Sequence, residues 1–176
     1  MNVEILRYPT DADWERCLYL ARITQGKDDA KIPSDAWKKK ILAAEHSPVR
    51  TLMYTFVLRD IPYYTSVHLV RHKFGIEHFV RSQRVNPERG AERQDAPVIH
   101  VMDMNFQALV NMCRKRLCYK ADATTRSIVQ MMVEELRKVD PISASFCVPE
   151  CIYRGKVCHE LRPCGKYEWG KTDTIG

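Results

Sequence analysis

The stretch from Thr51 to Arg59 constrains the fold most. Leu52, Tyr54, Phe56 and Leu58 alternate with Thr51, Met53, Thr55 and Val57, so β-forming side chains fall on both faces of one strand. A strand of this kind is expected to be buried on both sides. That requires a sheet with other structure packed against it rather than a free-standing helical bundle.

The rest of the chain supplies those layers. Val3 to Tyr8 reads as a short first strand, ended by Pro9. Thr10 or Asp11 caps a helix from about Ala12 to Thr24, with Trp14, Cys17, Leu18 and Ala21 along one side. Ser34 caps a second helix that ends near His46, before Ser47-Pro48. After the strand, Asp60-Ile61-Pro62 reads as a turn, and Tyr63 to Lys73 as a third helix with Val67 and Val70 inward. Val85 to Pro97 carries no apolar period and reads as a loop. A long helix is expected to begin at Asp103 or Asn105, with Leu109, Met112, Cys113 and Leu117 at helical spacing. Thr124 to Val139 forms another, stopped by Asp140-Pro141. The expected fold is α+β: a small, mostly antiparallel sheet flanked by long helices, with 105–120 and 124–139 as a core pair. Residues 1–145 are expected to form one domain, with 146–176 a Cys-rich tail packed on it.

At 176 residues and 45% apolar composition the chain has material for one core. No apolar run approaches the ~20 residues of a membrane span. Met1 to Arg7 lacks a signal-peptide layout, so a cytoplasmic protein without a membrane partner is expected. The net charge of +6 favours anionic partners. Its placement matters more: from Arg71 to Arg93 there are six Arg or Lys against three Glu.

Two constellations could hold an anion. Arg71-His72-Lys73 is followed by Ser82-Gln83-Arg84, a set of phosphate donors in which Arg can act bidentately. The second lies on the long helix: Asn105, Asn111 and Arg116, with Ala121 and Arg126 beyond. Asn105 and Arg116 are eleven residues apart, or about three turns, and so share a face. Ordinary solvated polar surface is the competing reading of both. His68, His78 and His100 have no recognisable partner spacing and are expected to fill surface or core roles.

In this order the two constellations resemble the motifs of the flavin-dependent thymidylate synthases. That family carries Arg-His-Arg, seven residues, then Ser-x-Arg, and later an Asn-x-Arg-Ser-Leu run, an Arg, and Ala-Gln-x-Glu-Ile-Arg. Here the first reads Arg71-His72-Lys73, eight residues, then Ser82-Gln83-Arg84. The second reads Asn105 to Leu109, then Asn111, Arg116, Ala121-Asp122 and Arg126. His46-Ser47-Pro48, the strand and Pro62 resemble the family's approach to its first motif, so the likeness spans roughly residues 40 to 130. Lys73 stands where the family has Arg, Asp122 where it has Gln, and only twenty residues separate Arg84 from Asn105.

The resemblance implies an enzyme for the reductive methylation of dUMP or a related uracil nucleotide. FAD is the implied cofactor, and methylenetetrahydrofolate and NADPH are co-substrates. It implies a homotetramer with shared sites. Arg71, His72, Lys73, Asn105 and Asn111 would contact the flavin. Ser82, Gln83, Arg84 and Arg116 would contact the nucleotide, with Ser82 and Arg116 at the reacting centre. The alternative is a non-catalytic nucleotide or nucleic-acid binding protein on the same scaffold.

Seven cysteines stand apart from this pattern. Cys17, Cys113 and Cys118 fall in helical segments, where a thiol behaves as a small apolar group. Cys147, Cys151, Cys158 and Cys164 cluster in the tail beside His159 and could hold zinc or an iron–sulfur cluster; loosely packed reduced thiols are the alternative. Their spacing does not match a common zinc knuckle, and disulfides are not expected in the cytoplasm.

Overall fold

In the computed structural model, which describes residues 1–81 and 93–170, the strand anticipated at residue 51 becomes β2, Met53–Pro62. It pairs antiparallel with β1, Asn2–Arg7, on one side and with β4, Pro97–Asn105, on the other. β3, Ile76–Val80, completes a four-stranded antiparallel sheet in the order β1-β2-β4-β3.

Registry puts Val3, Phe56, Leu58, Met102, Met104 and Ile76 on one face, where all are buried. The helices cover this face. α1, Asp11–Ile23, carries a complete capping box between Thr10 and Asp13. α2 is Asp35–Ala43, capped by Ser34. α4, Phe106–Arg116, and α5, Ala123–Val139, pack on each other, and α5 also lies on β1. The short α6, Pro141–Ala144, is tied to the sheet by Tyr54 Oη, which donates to Ser143 Oγ at 2.8 Å. No helix among the described residues is long and apolar enough to cross a membrane.

Four expectations change. Burial of β2 on both sides holds for the inner face and, on the outer face, for Val57, whereas Met53 and Thr55 are half-buried and Arg59 is exposed. Across the sheet's other face runs the row Glu4, Val57, Val101 and Phe79, and Phe79 is 62% exposed. Asp60-Ile61-Pro62 is not a turn: β2 continues to Pro62 through a register shift between Leu58 and Ile61, with Asp60 at φ 56°. This is the signature of a β-bulge. The third helix, α3, is Tyr63–Leu69 and ends before the basic segment. It buries Thr65, Ser66 and Leu69, whereas Val67 is exposed. Finally, β4 had no sequence expectation, because its inward positions are Val98, His100, Met102 and Met104. A buried histidine and two methionines blur the apolar alternation.

Two features fix the segment between α3 and α4. Gly75 lies at φ 73°, and a Cβ built there would stand 2.5 Å from Asn105 Nδ2. Asn105 cannot move away without cost, because its Oδ1 accepts from Ala108 N at 3.0 Å as the cap of α4. Beneath the turn, His78 Nε2 donates to His72 O at 2.8 Å. The other His78 ring nitrogen, Nδ1, is hydrogen-bonded to His100 Nε2, 2.9 Å away. The remaining His100 nitrogen, Nδ1, is buried without a partner.

Gly75→Ala should cost about 1–3 kcal/mol, because it combines a left-handed backbone with displacement of a helix cap. Denaturant unfolding of both proteins checks this. A second outcome concerns pH. Burial, with His78 adding to it, lowers His100 from 6.5 to about 4. The unfolded chain takes up this proton below pH ~6.5, but the folded chain does so only near pH 4. The contribution is therefore full above that window and lost as pH falls through it. Unfolding free energy should decline across the window, and His100→Gln should make the decline shallower.

Candidate functional site

The basic segment is a turn followed by an edge strand. Arg71, His72 and Lys73 sit on the turn after α3, with Arg71 and Lys73 exposed and His72 half-buried. Phe74 follows them at 94% exposure, with its ring uncovered by any described residue. β3 then turns His78 inward toward His100, and Arg81 N donates to Ile99 O at 2.9 Å where the strand ends. Ser82, Gln83 and Arg84 lie outside the described residues.

α4 brings its own residues to this turn at two points. At its start, Asn105 N donates to Gly75 O at 3.0 Å. At its end, Arg116 Nε donates to His72 Nε2 at 2.9 Å, and Arg116 Nη2 donates to His68 O at 2.7 Å. The sequence spacing that put Asn105 and Arg116 on one helix face is thus met by contacts to one turn. Asn111 behaves differently. It lies about 140° around the helix from Arg116. Its Oδ1 accepts from Arg114 Nη1 at 3.1 Å and Gln107 Nε2 at 3.4 Å. The structure does not bring it to the Arg71–Arg116 cluster.

The electrostatics of the cluster follow from these bonds. Burial, then Arg116 and His78, lower His72 from 6.5 to about 4. Its ring is therefore neutral at neutral pH, and the Nε2 lone pair accepts the hydrogen bond from Arg116 Nε. Burial, and then the neighbouring Arg71 guanidinium, lowers Arg116 below its ordinary value. The positive charge of the turn thus opposes that of α4. Among the described residues no carboxylate forms a salt bridge with Arg71, Lys73 or Arg116. An arrangement of this kind can hold an anion.

Arg114, two residues earlier on α4, shows the contrast. Its guanidinium pairs with Glu45 and stacks 3.5 Å from the Tyr153 ring centroid. Burial opposes ionisation of Glu45, but Arg114 and Gln107 hold its carboxyl below the usual range. The Arg114 charge is cancelled; that of Arg116 is not.

Sequence reasoning missed the histidines that surround this site. Thr125 Oγ1 donates to Asp122 Oδ1 at 2.9 Å, so His68 Nδ1 donates to Thr125 Oγ1, also at 2.9 Å. A chain from α5 thus orients the residue whose carbonyl holds Arg116. His78 and His100 are 22 residues apart and meet only because β3 and β4 pair. No local spacing announces either link, although His68 and His72 lie one helical turn apart.

The four tail cysteines are not together. Cys147 is buried in the core beside Cys113, and its Sγ donates to Ser143 O at 3.6 Å. Cys151, Cys158 and Cys164 line a separate cavity with Cys118. All seven cysteines are free thiols.

Comparison with known proteins places this geometry in a structural context. The family model of the thymidylate synthase complementing protein, Thy1, matches residues 94–142, which span β4, α4 and α5. No curated protein matches the chain in sequence. Among solved structures, the flavin-dependent thymidylate synthase ThyX of Helicobacter pylori, complexed with FAD and dUMP, superposes with a TM-score of 0.67 at 13% identity. The match covers 84% of this chain and 100% of that one. The UMP/dUMP methylase PolB of Streptomyces cacaoi, bound with 5-Br dUMP, gives 0.65 at 13% identity over 82% and 93% of the two chains. The helices, the antiparallel sheet and the order of elements described above are those of the flavin-dependent thymidylate synthase fold.

Proposed function

We propose that the turn after α3 and the outer end of α4 form a nucleotide and flavin site, and that the protein is a flavin-dependent methyltransferase acting on dUMP or a related uracil nucleotide. The observation that carries this reading is that Arg116 is bound to the turn bearing Arg71 by neutral acceptors alone, with no salt bridge from either arginine to a described carboxylate. The structural neighbours that hold FAD and dUMP, and the family match across β4–α5, support it.

The residues present fit a flavin dinucleotide. Arg71 and Lys73 offer exposed cations for a diphosphate, and Phe74 offers an uncovered aromatic face beside them. Asn105 belongs to this group through its contact with Gly75, but its side-chain oxygen is already used in capping α4. We assign Asn111 no flavin contact, because its side chain is engaged with Arg114 and Gln107. Arg116, with Ser82, Gln83 and Arg84, is assigned to the uracil nucleotide, Arg116 and Ser82 at the reacting base. FAD, when bound, supplies the electron transfer, with methylenetetrahydrofolate as carbon donor and NADPH as reductant. The protein's part is to bind, orient and set the local charge. The outer sheet face, where exposed Phe79 stands beside half-buried Val101 at the β3 edge, offers an apolar surface to a second copy in a homotetramer.

Purified protein given FAD should show the flavin absorbance bands after removal of free cofactor, and should bind dUMP at one site per chain. A colourless product that takes up no FAD overturns the reading. Binding that demands several phosphates and weakens steeply with salt favours a nucleic-acid binder instead. Arg116→Ala should weaken dUMP more than FAD, and Arg71→Ala the reverse. Each lost charge-assisted bond should cost about 1.5–3 kcal/mol, or about 10- to 150-fold in affinity by calorimetry. Equal losses of both ligands in both variants would show the roles to be misassigned.

A further inference from the structure

α3 is too short to hold itself. It has seven residues and no side-chain cap at its start, and isolated helices shorter than about 12–15 residues are marginal in water. Its start is tied down by the backbone bonds from Tyr63 N to Ala96 O at 3.0 Å and from Tyr64 N to Gln94 O at 2.9 Å. Its end carries carbonyls without a partner inside the helix. One of these is His68 O, which accepts from Arg116 Nη2 at 2.7 Å. A guanidinium suits this place, because the C-terminal end of a helix is its negative end. Where Arg116 stands is therefore set by where the last turn of α3 stands.

That turn is held in its place by α5. His68 Nδ1 lies 2.9 Å from Thr125 Oγ1. The Thr125 hydroxyl gives its one hydrogen to Asp122 Oδ1, also at 2.9 Å, so toward His68 it accepts, and Nδ1 carries the ring proton. Asp122 Oδ1 accepts in addition from Thr125 N at 2.8 Å, which caps α5. The line of bonds runs from an exposed carboxylate through a fully buried hydroxyl to a half-buried imidazole. The Tyr64 ring packs steeply against that imidazole, with centroids 5.9 Å apart. The cap needs only the Thr125 amide. The hydroxyl is the part that the cap does not use, and it serves His68.

An arginine has five N–H donors in one plane. Arg116 gives Nε–H to His72 Nε2 and one hydrogen of Nη2 to His68 O. Both bonds leave from the Nε–Nη2 side of the guanidinium. They fix the tilt of its plane and leave the Nη1–Nη2 end for a ligand. We propose, on the basis of the nucleotide reading above, that Asp122, Thr125 and His68 are positioning residues for that ligand: they do not touch it, and they hold the Arg116 guanidinium in the orientation that the nucleotide meets. Without the Thr125 hydroxyl the last turn of α3 loses its side-chain tie to α5 and frays. The His68 carbonyl then moves, and one of the two bonds that orient the guanidinium goes with it. The start of α5 thereby contributes to nucleotide affinity through a hydroxyl that the nucleotide never reaches.

Thr125→Val keeps the side-chain shape and the amide that caps α5, and removes the hydroxyl. It should weaken dUMP binding about 3- to 10-fold, as the loss of one hydrogen bond does, and leave FAD binding unchanged. Thr125→Ser should restore the affinity. The effect should pass through the arginine: in the Arg116→Ala protein, Thr125→Val should cost no further dUMP affinity, and Thr125→Val and His68→Ala together should cost no more than either alone. In the ligand-free protein, the Arg116 Nε–H resonance, identified by its absence from Arg116→Ala, should exchange slowly with water. Exchange should be faster in Thr125→Val and slow again in Thr125→Ser. Wild-type protein that binds no dUMP overturns the functional reading, and the relay's assignment to a nucleotide with it. Where dUMP does bind, the relay alone is overturned by full affinity in Thr125→Val, by the same loss with and without Arg116, by FAD weakened as much as dUMP, or by an Arg116 resonance indifferent to the hydroxyl.

Discussion

The contact between α4 and the turn after α3 organises everything near the site. It is made at both ends of the helix: Asn105 against Gly75 at the start, and Arg116 against His72 and His68 at the finish. The first contact requires a residue without a side chain at position 75. The second requires an imidazole that has given up its charge. Together they tie a short irregular segment to a regular helix at two points, and so limit where Arg71, His72 and Lys73 can lie. The sheet supports this from below, because β4 runs directly into α4 and β3 returns from the turn to pair with β4. The His100–His78–His72 chain of hydrogen bonds joins those two strands to the turn.

What could be read from the sequence was what repeats locally. β2 announced itself through strict alternation, and α1, α4 and α5 through caps and a helical apolar period, with Thr10, Asn105 and Asp122 as the observed caps. What could not be read depended on partners distant in the chain. β4 was hidden because its inward positions include His100, which belongs there only through its bond to His78. The end of α3 at Leu69 was hidden because Val70 to Lys73 has no helix-breaking residue; Gly75 and the pairing of β3 with β4 terminate it from outside. The site was legible where its residues share one element, as Asn105 and Arg116 do, and illegible where it joins elements, as in the links from His68 to Thr125. The cysteines divide in the same way: Cys147, near the tail in sequence, lies in the core against Ser143, whereas Cys118 from the end of α4 lines the tail's cavity.

The open sheet face is the counterpart of this economy. A strand carrying β-formers on both faces implies two covering layers, and within one chain the described residues supply one. Val57, in register with Glu4 and Val101, is nonetheless buried, while Phe79 on the edge strand stays exposed. The same edge strand leads from the turn that carries Phe74, so the uncovered aromatic surface and the uncancelled cations lie on consecutive pieces of chain. A second copy seated on the face would stand beside the proposed nucleotide site.

The two arginines of α4 show why the proposed anion site is placed at one and not the other. Arg114 and Arg116 are chemically identical and two residues apart, so helix propensity and net charge treat them alike. Their surroundings do not. Glu45 closes on Arg114 and Tyr153 stacks on it, which turns the guanidinium into a fastener between α2, α4 and the tail. Arg116 is held as firmly, but by a carbonyl oxygen and a neutral ring nitrogen, and neither removes its charge. A carboxylate in place of His72 would bind the guanidinium more strongly and cancel it. A protonated imidazole would repel it. Burial of His72, with its pKa lowered to about 4, is thus the condition under which Arg116 can be both fixed in position and left positively charged for an anion.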